Sequence, residues 1–185
     1  MKWAFLAAII VVLAWFVVTY NTLVSLRQRV AQAFGDIDVQ LKQRHDLVPN
    51  LVETVRSYAA HEKATLEAVV QARRAAISAG DPGSVVQSEA VLQAQLGRLL
   101  ALGEAYPDLK ASANFQSLQV DLAAIEDKLA AARRFFNNAV AEYNAAIGAI
   151  PAALFAGRLG FSPKVFFVLD ENRRAELDAP PTVTF

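Results

Sequence analysis

Two histidines, His45 and His61, and no cysteine are all this chain offers toward imidazole or thiolate chemistry. Without cysteine there is no disulfide, no thiol nucleophile and no thiolate metal site, so carboxylates would have to supply most ligands of any metal. His61-Glu62 opens like the helical His-Glu-x-x-His zinc motif, but residue 65 is Thr, and the second imidazole is missing. His45-Asp46 has the composition of an acid–base pair, yet no serine is placed to complete a hydrolytic set. With Pro49 close behind, Asp46 reads instead as a helix cap with His45 hydrogen-bonded beside it. The sequence therefore predicts no catalytic residue, no metal ligand and no cofactor.

The remaining polar side chains of interest lie within helix-patterned stretches: Arg27, Asp36, Asp38, Gln40, Arg44, Glu53 and Glu62, then Asn137, Tyr143 and Asn144. Two roles are open to them. Buried polar groups inside a bundle must find partners or cost a few kcal/mol, so they can fix helix register. On the surface, the same residues would form a subunit or partner interface.

The elements that position these groups begin with a membrane segment. No charge lies between Lys2 and Arg27, and residues 3–20 are almost wholly apolar, with Trp3 and Tyr20 near the ends. About 20 residues rising ~1.5 Å each span a bilayer core, and aromatic rings favour its interfaces. No small-residue cleavage site follows, so the segment reads as a retained anchor rather than a signal peptide. The lipid bilayer is thus a predicted partner through residues 3–20. Lys2 and the amino terminus stand on one flank and Arg27 and Arg29 on the other, almost a tie that leans the body toward the cytoplasm, with a periplasmic body as the alternative. Eighteen basic and eighteen acidic residues leave no surplus for phosphate neutralisation, which argues against nucleic acid.

After the anchor, Leu23, Leu26, Val30, Ala33, Ile37 and Leu41 recur at three and four residues, a helical stripe continuous with the membrane segment. Pro49 predicts a boundary or kink near residues 45–48. A second helix then runs to about residue 79 through Val48, Val52, Val55, Ala59, Leu66, Val69 and Ile77. Gly80-Asp81-Pro82-Gly83 is a loop, a third helix covers 84–103, and Tyr106-Pro107-Asp108 turns the chain. The fourth helix starts between Asp108 and Phe115. Its stripe of Leu118, Leu122, Ile125, Leu129, Ala132, Phe136, Val140, Tyr143 and Ile147 approaches a coiled-coil seam. Beyond Pro151 a dense apolar cluster includes Phe155, Phe161, Phe166 and Phe167, candidates for membrane or partner contact. Ser162-Pro163 predicts the start of a short helix to about residue 177. The predicted fold is all-α: a transmembrane helix continuous with an elongated antiparallel bundle of long helices, plus a short C-terminal helix and an extended tail. The predicted domains are an anchor over 1–20, a bundle domain over 21–178 and a tail over 179–185.

Several blocks resemble the LemA family of bacterial membrane proteins. They are Tyr20-Asn21 with Leu23-Val24 and Leu26-Arg27, then the run from Ala33-Phe34 through Asp36-Ile37-Asp38 to Leu47-Val48-Pro49-Asn50 and Val55. Tyr58-Ala59, His61-Glu62, Ala105-Tyr106-Pro107-Asp108, Ala132-Arg133-Arg134-Phe135-Phe136-Asn137, Tyr143-Asn144 and Gly160-Phe161 continue it in order. The resemblance covers roughly residues 20 to 165. It implies a single-pass protein of the bacterial inner membrane with a long-helix bundle and no transferable catalytic set. It also points to relatives associated with membrane remodelling or magnetosome formation, and to others found beside membrane proteases.

Three functional readings follow. The first is a non-enzymatic, membrane-anchored scaffold that forms homo-oligomers. The second is an adaptor or regulator of a membrane protease or other envelope complex. The third is a membrane-remodelling protein acting through the Phe-rich C-terminal region.

Overall fold

A computed structural model describes residues 2–167. Among them every regular element is helical. Helix α1 spans Lys2–Tyr58, α2 Lys63–Ser78, α3 Pro82–Ala105, α4 Pro107–Ala111 and α5 Ala113–Gly148, followed by 3-10 turns at Ala152–Leu154 and Gly157–Leu159. One helix, α1, is long and apolar enough to cross a membrane, and none of its most apolar window is buried. The anchor and the first helix of the body are therefore one helix, as the stripe from Leu23 to Leu41 predicts.

Two compact units make up the described chain: residues 2–40 with 128–166, and residues 41–127 with Phe167. In the first, Leu23, Val30, Ala33 and Ile37 of α1 are buried, as are Leu129, Phe136, Val140, Tyr143 and Ile147 of α5. Arg29 pairs with Glu142 at 2.8 Å, and Phe34 stacks tilted against Phe136 at 5.9 Å. Residue numbers fall along α5 as they rise along α1, so the pair is antiparallel within this unit. In the second unit, Val48, Leu51, Val52, Val55, Leu66, Val69, Leu92, Leu96, Leu99 and Phe115 share one core. Packing there is tight: a Cβ added at Gly103 would lie 2.8 Å from the Phe115 ring.

Three boundaries differ from the sequence expectation. No break occurs at residues 45–48, because α1 continues through Pro49. A proline lacks the N–H that would bind the carbonyl four residues earlier, here that of His45. Arg73 of α2 supplies the missing donor, its Nε reaching the His45 carbonyl at 2.6 Å. The orphaned acceptor is thus satisfied from a neighbouring helix, and Asp46 is an exposed mid-helix residue rather than a cap. The break falls instead at residues 59–62, which resets the helical phase and leaves Ile77 exposed while Ala76 is buried. Half of the Gly80–Gly83 loop belongs to α3: Asp81 accepts from the Gly83 and Ser84 amides at 3.0 Å each, with Pro82 in the first turn.

At the C-terminal side the helical turns come earlier than Ser162. Residues 161–167 carry no helix. The rest of the expected helix to residue 177 and the tail over 179–185 lie outside the described residues.

Candidate functional site

Two polar arrangements emerge, one in each unit. In the unit of residues 41–127, Arg44 is fully buried in the stripe of α1, where Leu41 and Val48 flank it. Its guanidinium pairs with Glu89 of α3, donates to Gln93 Oε1 at 2.7 Å and donates to Glu126 Oε1 of α5 at 2.5 Å. Glu89 is equally buried, and its other oxygen meets His45 Nε2 at 2.6 Å. Four side chains thus converge on one guanidinium or on its carboxylate partner, tying three helices together. A planar fork of donors matches carboxylates in a fixed geometry, so a shift of any helix by one turn would strand charge away from water. His45 and Glu89 have the groups for acid–base chemistry. They sit among ion-pair partners, however, with their polar atoms engaged in those pairs.

Elsewhere in the same unit, Glu62 sits at the break between α1 and α2 and accepts from the Tyr106 hydroxyl at 3.0 Å. That hydrogen bond holds the Tyr106 phenol above its ordinary range. Glu53 makes an exposed pair with Arg56 at 3.0 Å on its own helix, which contributes little.

The other unit holds Asn144 of α5. Its side-chain amide donates to the Lys164 carbonyl and accepts from the Lys164 amide, each at 2.9 Å. This two-point clasp closes the excursion of residues 149–163, which leaves α5 at Ala149, turns at Pro151 and returns past Phe161. The excursion packs on α1: Phe155 lies against Phe16 at 4.8 Å, Phe161 meets Tyr20 edge-on at 5.7 Å, and Arg27 sits 5.1 Å over the Phe161 ring. Gly160 takes φ +76, the left-handed turn that redirects the chain into Phe161.

Tyr143, one residue before the clasp, is fully buried, and its hydroxyl has no protein hydrogen-bond partner. Burial pushes that phenol up, while the Arg27 charge works against the shift.

The sequence-derived candidates therefore separate. Arg44 and Glu62 join helices in one unit; Arg27, Tyr143 and Asn144 gather around the excursion in the other. Gln40 is half-buried, with a buried amide oxygen that accepts no hydrogen bond among the described residues, and Asn137 is half-buried on α5. Asp36 and Asp38 are exposed. Of the aromatic candidates, Phe161 and Phe167 are buried, Phe155 is half-buried and Phe166 is exposed. Glu89 escapes a reading that seeks charged motifs. Its signal is positional: residues 89, 92, 96 and 99 form a three-and-four stripe in which Glu89 replaces an apolar residue. Among the described residues no group of three or more His, Asp or Glu is placed to hold a metal ion.

Comparison with known proteins adds a consistent picture. The LemA family model matches residues 33–185. Magnetosome protein MamQ of Magnetospirillum gryphiswaldense is 25% identical over 174 residues, which cover 80% of this chain and 64% of that protein. Magnetosome proteins MamQ 1 and MamQ 2 of Paramagnetospirillum magneticum are each 23% identical over 186 residues, 86% of this chain and 68% of theirs. The chain thus spans just under two thirds of the first of these relatives.

Proposed function

The chain belongs to the LemA family, and from that premise we propose that it is a non-enzymatic, membrane-anchored helical scaffold that assembles with copies of itself at the bacterial inner membrane. The observation that carries this reading is the use made of its polar side chains. Arg44, Glu89, His45 and Glu126 join three helices to one another, and Asn144 fastens a backbone. Such groups hold a fixed shape; a catalytic set needs them free to face a substrate. An unbroken α1 then fixes that shape to the bilayer.

Surfaces for assembly are available. Val39 and Phe135 in one unit and Val91 and Val120 in the other are apolar and exposed. The anchor carries Ala4, Ala7 and Ala8, small residues that let helices approach closely in lipid.

The mass of the full-length protein in detergent or nanodiscs tests the proposal. A discrete oligomer that persists on dilution supports it; a strict monomer over a wide concentration range refutes self-assembly. Crosslinking in native membranes separates the adaptor reading, which requires a heterologous band. We also place the body on the cytoplasmic side, because the Arg27 and Arg29 flank is basic. A C-terminal green fluorescent protein fusion should then fluoresce, and an alkaline phosphatase fusion should be inactive.

A further inference from the structure

We propose that residues 150–159 form a second membrane contact, seated in the hydrocarbon beside the anchor with lipid covering its exposed apolar side chains. Depth is the first argument. The ring of Phe155 packs on Phe16 and that of Phe161 on Tyr20, so the excursion reaches back along α1 by about four residues, or ~6 Å. A bilayer core takes about 20 helical residues, and counted from Trp3 these end near Thr22. A side chain level with Phe16 therefore lies on the lipid side of that boundary.

The surface of the excursion matches that depth. Ile150 is 82% exposed, Leu154 73% and Leu159 42%, an apolar display that water would penalise and acyl chains would not. Arg158 is the sole charge between Glu142 and Lys164, and its long side chain can carry the guanidinium up to the headgroups. Beside the excursion, a groove of about 280 Å³ is lined by Trp15, Val18, Ala149 and Ile150, among others, and is mostly apolar. It suits part of an acyl chain.

Backbone accounting is the independent argument. Lipid cannot hydrogen-bond a peptide group, so irregular chain at membrane depth must satisfy its own donors. Here the amides of Ala153, Leu154, Phe155, Ala156, Leu159 and Phe161 all donate to carbonyls within residues 149–156. Pro151 has no N–H to satisfy. Donors met inside the excursion in this way lower the cost of placing it in lipid.

The absence of cysteine makes the test clean. Full-length single-cysteine variants Leu154→Cys and Leu159→Cys are spin-labelled in phosphatidylethanolamine–phosphatidylglycerol liposomes. Accessibility is read with oxygen, which partitions into lipid, and a nickel chelate, which stays in water. Val11→Cys in the anchor and Ser57→Cys, exposed on α1 and ~55 Å along it from Tyr20, set the two limits. Both test positions are exposed, Leu154 more than Leu159, so the label has room to project outward. The proposal expects oxygen access several-fold above nickel access at 154 and 159, as at 11. Nickel access like that at 57 overturns it. Shielding from both reagents also overturns it, and spin–spin broadening that vanishes on dilution with unlabelled chain would then identify a second copy as the occupant.

Discussion

At Arg44, three buried side chains, Arg44, His45 and Glu89, meet Gln93 and Glu126 nearer the surface, whereas at Asn144 one amide fastens a short apolar excursion by its backbone. The first arrangement places charge where a bundle core has displaced solvent, and it is stable only in one geometry. The second avoids charge: between Glu142 and Lys164 only Arg158 is ionic, and rings from both strands of the excursion rest on the anchor helix. On the proposal that the excursion is seated in the bilayer, the difference follows the surroundings. A core enclosed by protein can hold ions because matching ions are built in; a segment beside a bilayer cannot rely on that, since lipid offers no compensation.

Breaking the ionic region should produce the largest effect. Arg44→Ala leaves Glu89 buried with only His45 beside it, and should cost about 3–5 kcal/mol of stability, read as a large fall in thermal midpoint. Arg44→Met with Glu89→Met should recover at least half of that loss. A double variant as unstable as the single one would show that packing, rather than stranded charge, dominates. In the other region Asn144→Ala removes two hydrogen bonds from a partly exposed site, and the expected loss is about 1–2 kcal/mol. Far-UV circular dichroism should barely change, while proteolysis within residues 149–164 should accelerate. A loss rivalling that at Arg44 would erase the contrast.

Tyr143→Phe sharpens it from the opposite side. The hydroxyl has no protein partner, so its removal should leave stability unchanged or raise it by under ~1 kcal/mol; a clear loss would reveal a hydrogen bond worth locating. The smallest effect belongs to the α3 cap. Ser84, through its side chain and then its amide, holds the Asp81 carboxyl below its ordinary value of 3.8. A depressed carboxyl contributes stability above its unfolded pKa and loses it as pH falls through the folded one. The small advantage of the natural chain over Asp81→Asn should therefore be present at pH 5–7 and shrink on acidification below about pH 4. An advantage that grows in acid would reverse the sign.

How much of this was legible depended on whether a signal was local. The stripes of α1 and α5 could be read because each helix buries one face, and burial imposes a three-and-four spacing on its own residues. Arg44 and Glu89 both interrupt such stripes, so their burial was legible in position, although their pairing was not. Pro49 misled because its rescue by Arg73 comes from a different helix. The break at residues 59–62 contains neither glycine nor proline, and it is marked by Glu62 reaching Tyr106, a partner far along the chain. The apolar cluster after Pro151 was conspicuous in composition. Its return along the anchor was not, because Phe16 with Phe155 and Tyr20 with Phe161 are pairings that no periodicity encodes.

The proposal that copies of this chain meet at the bilayer is tested most directly in native membranes, by scanning single cysteines through residues 4–18 and oxidising. The scaffold reading predicts dimer bands recurring at helical intervals and strongest on the face of Ala4 and Ala8. Bands absent at every position, or equal at all of them, would contradict it.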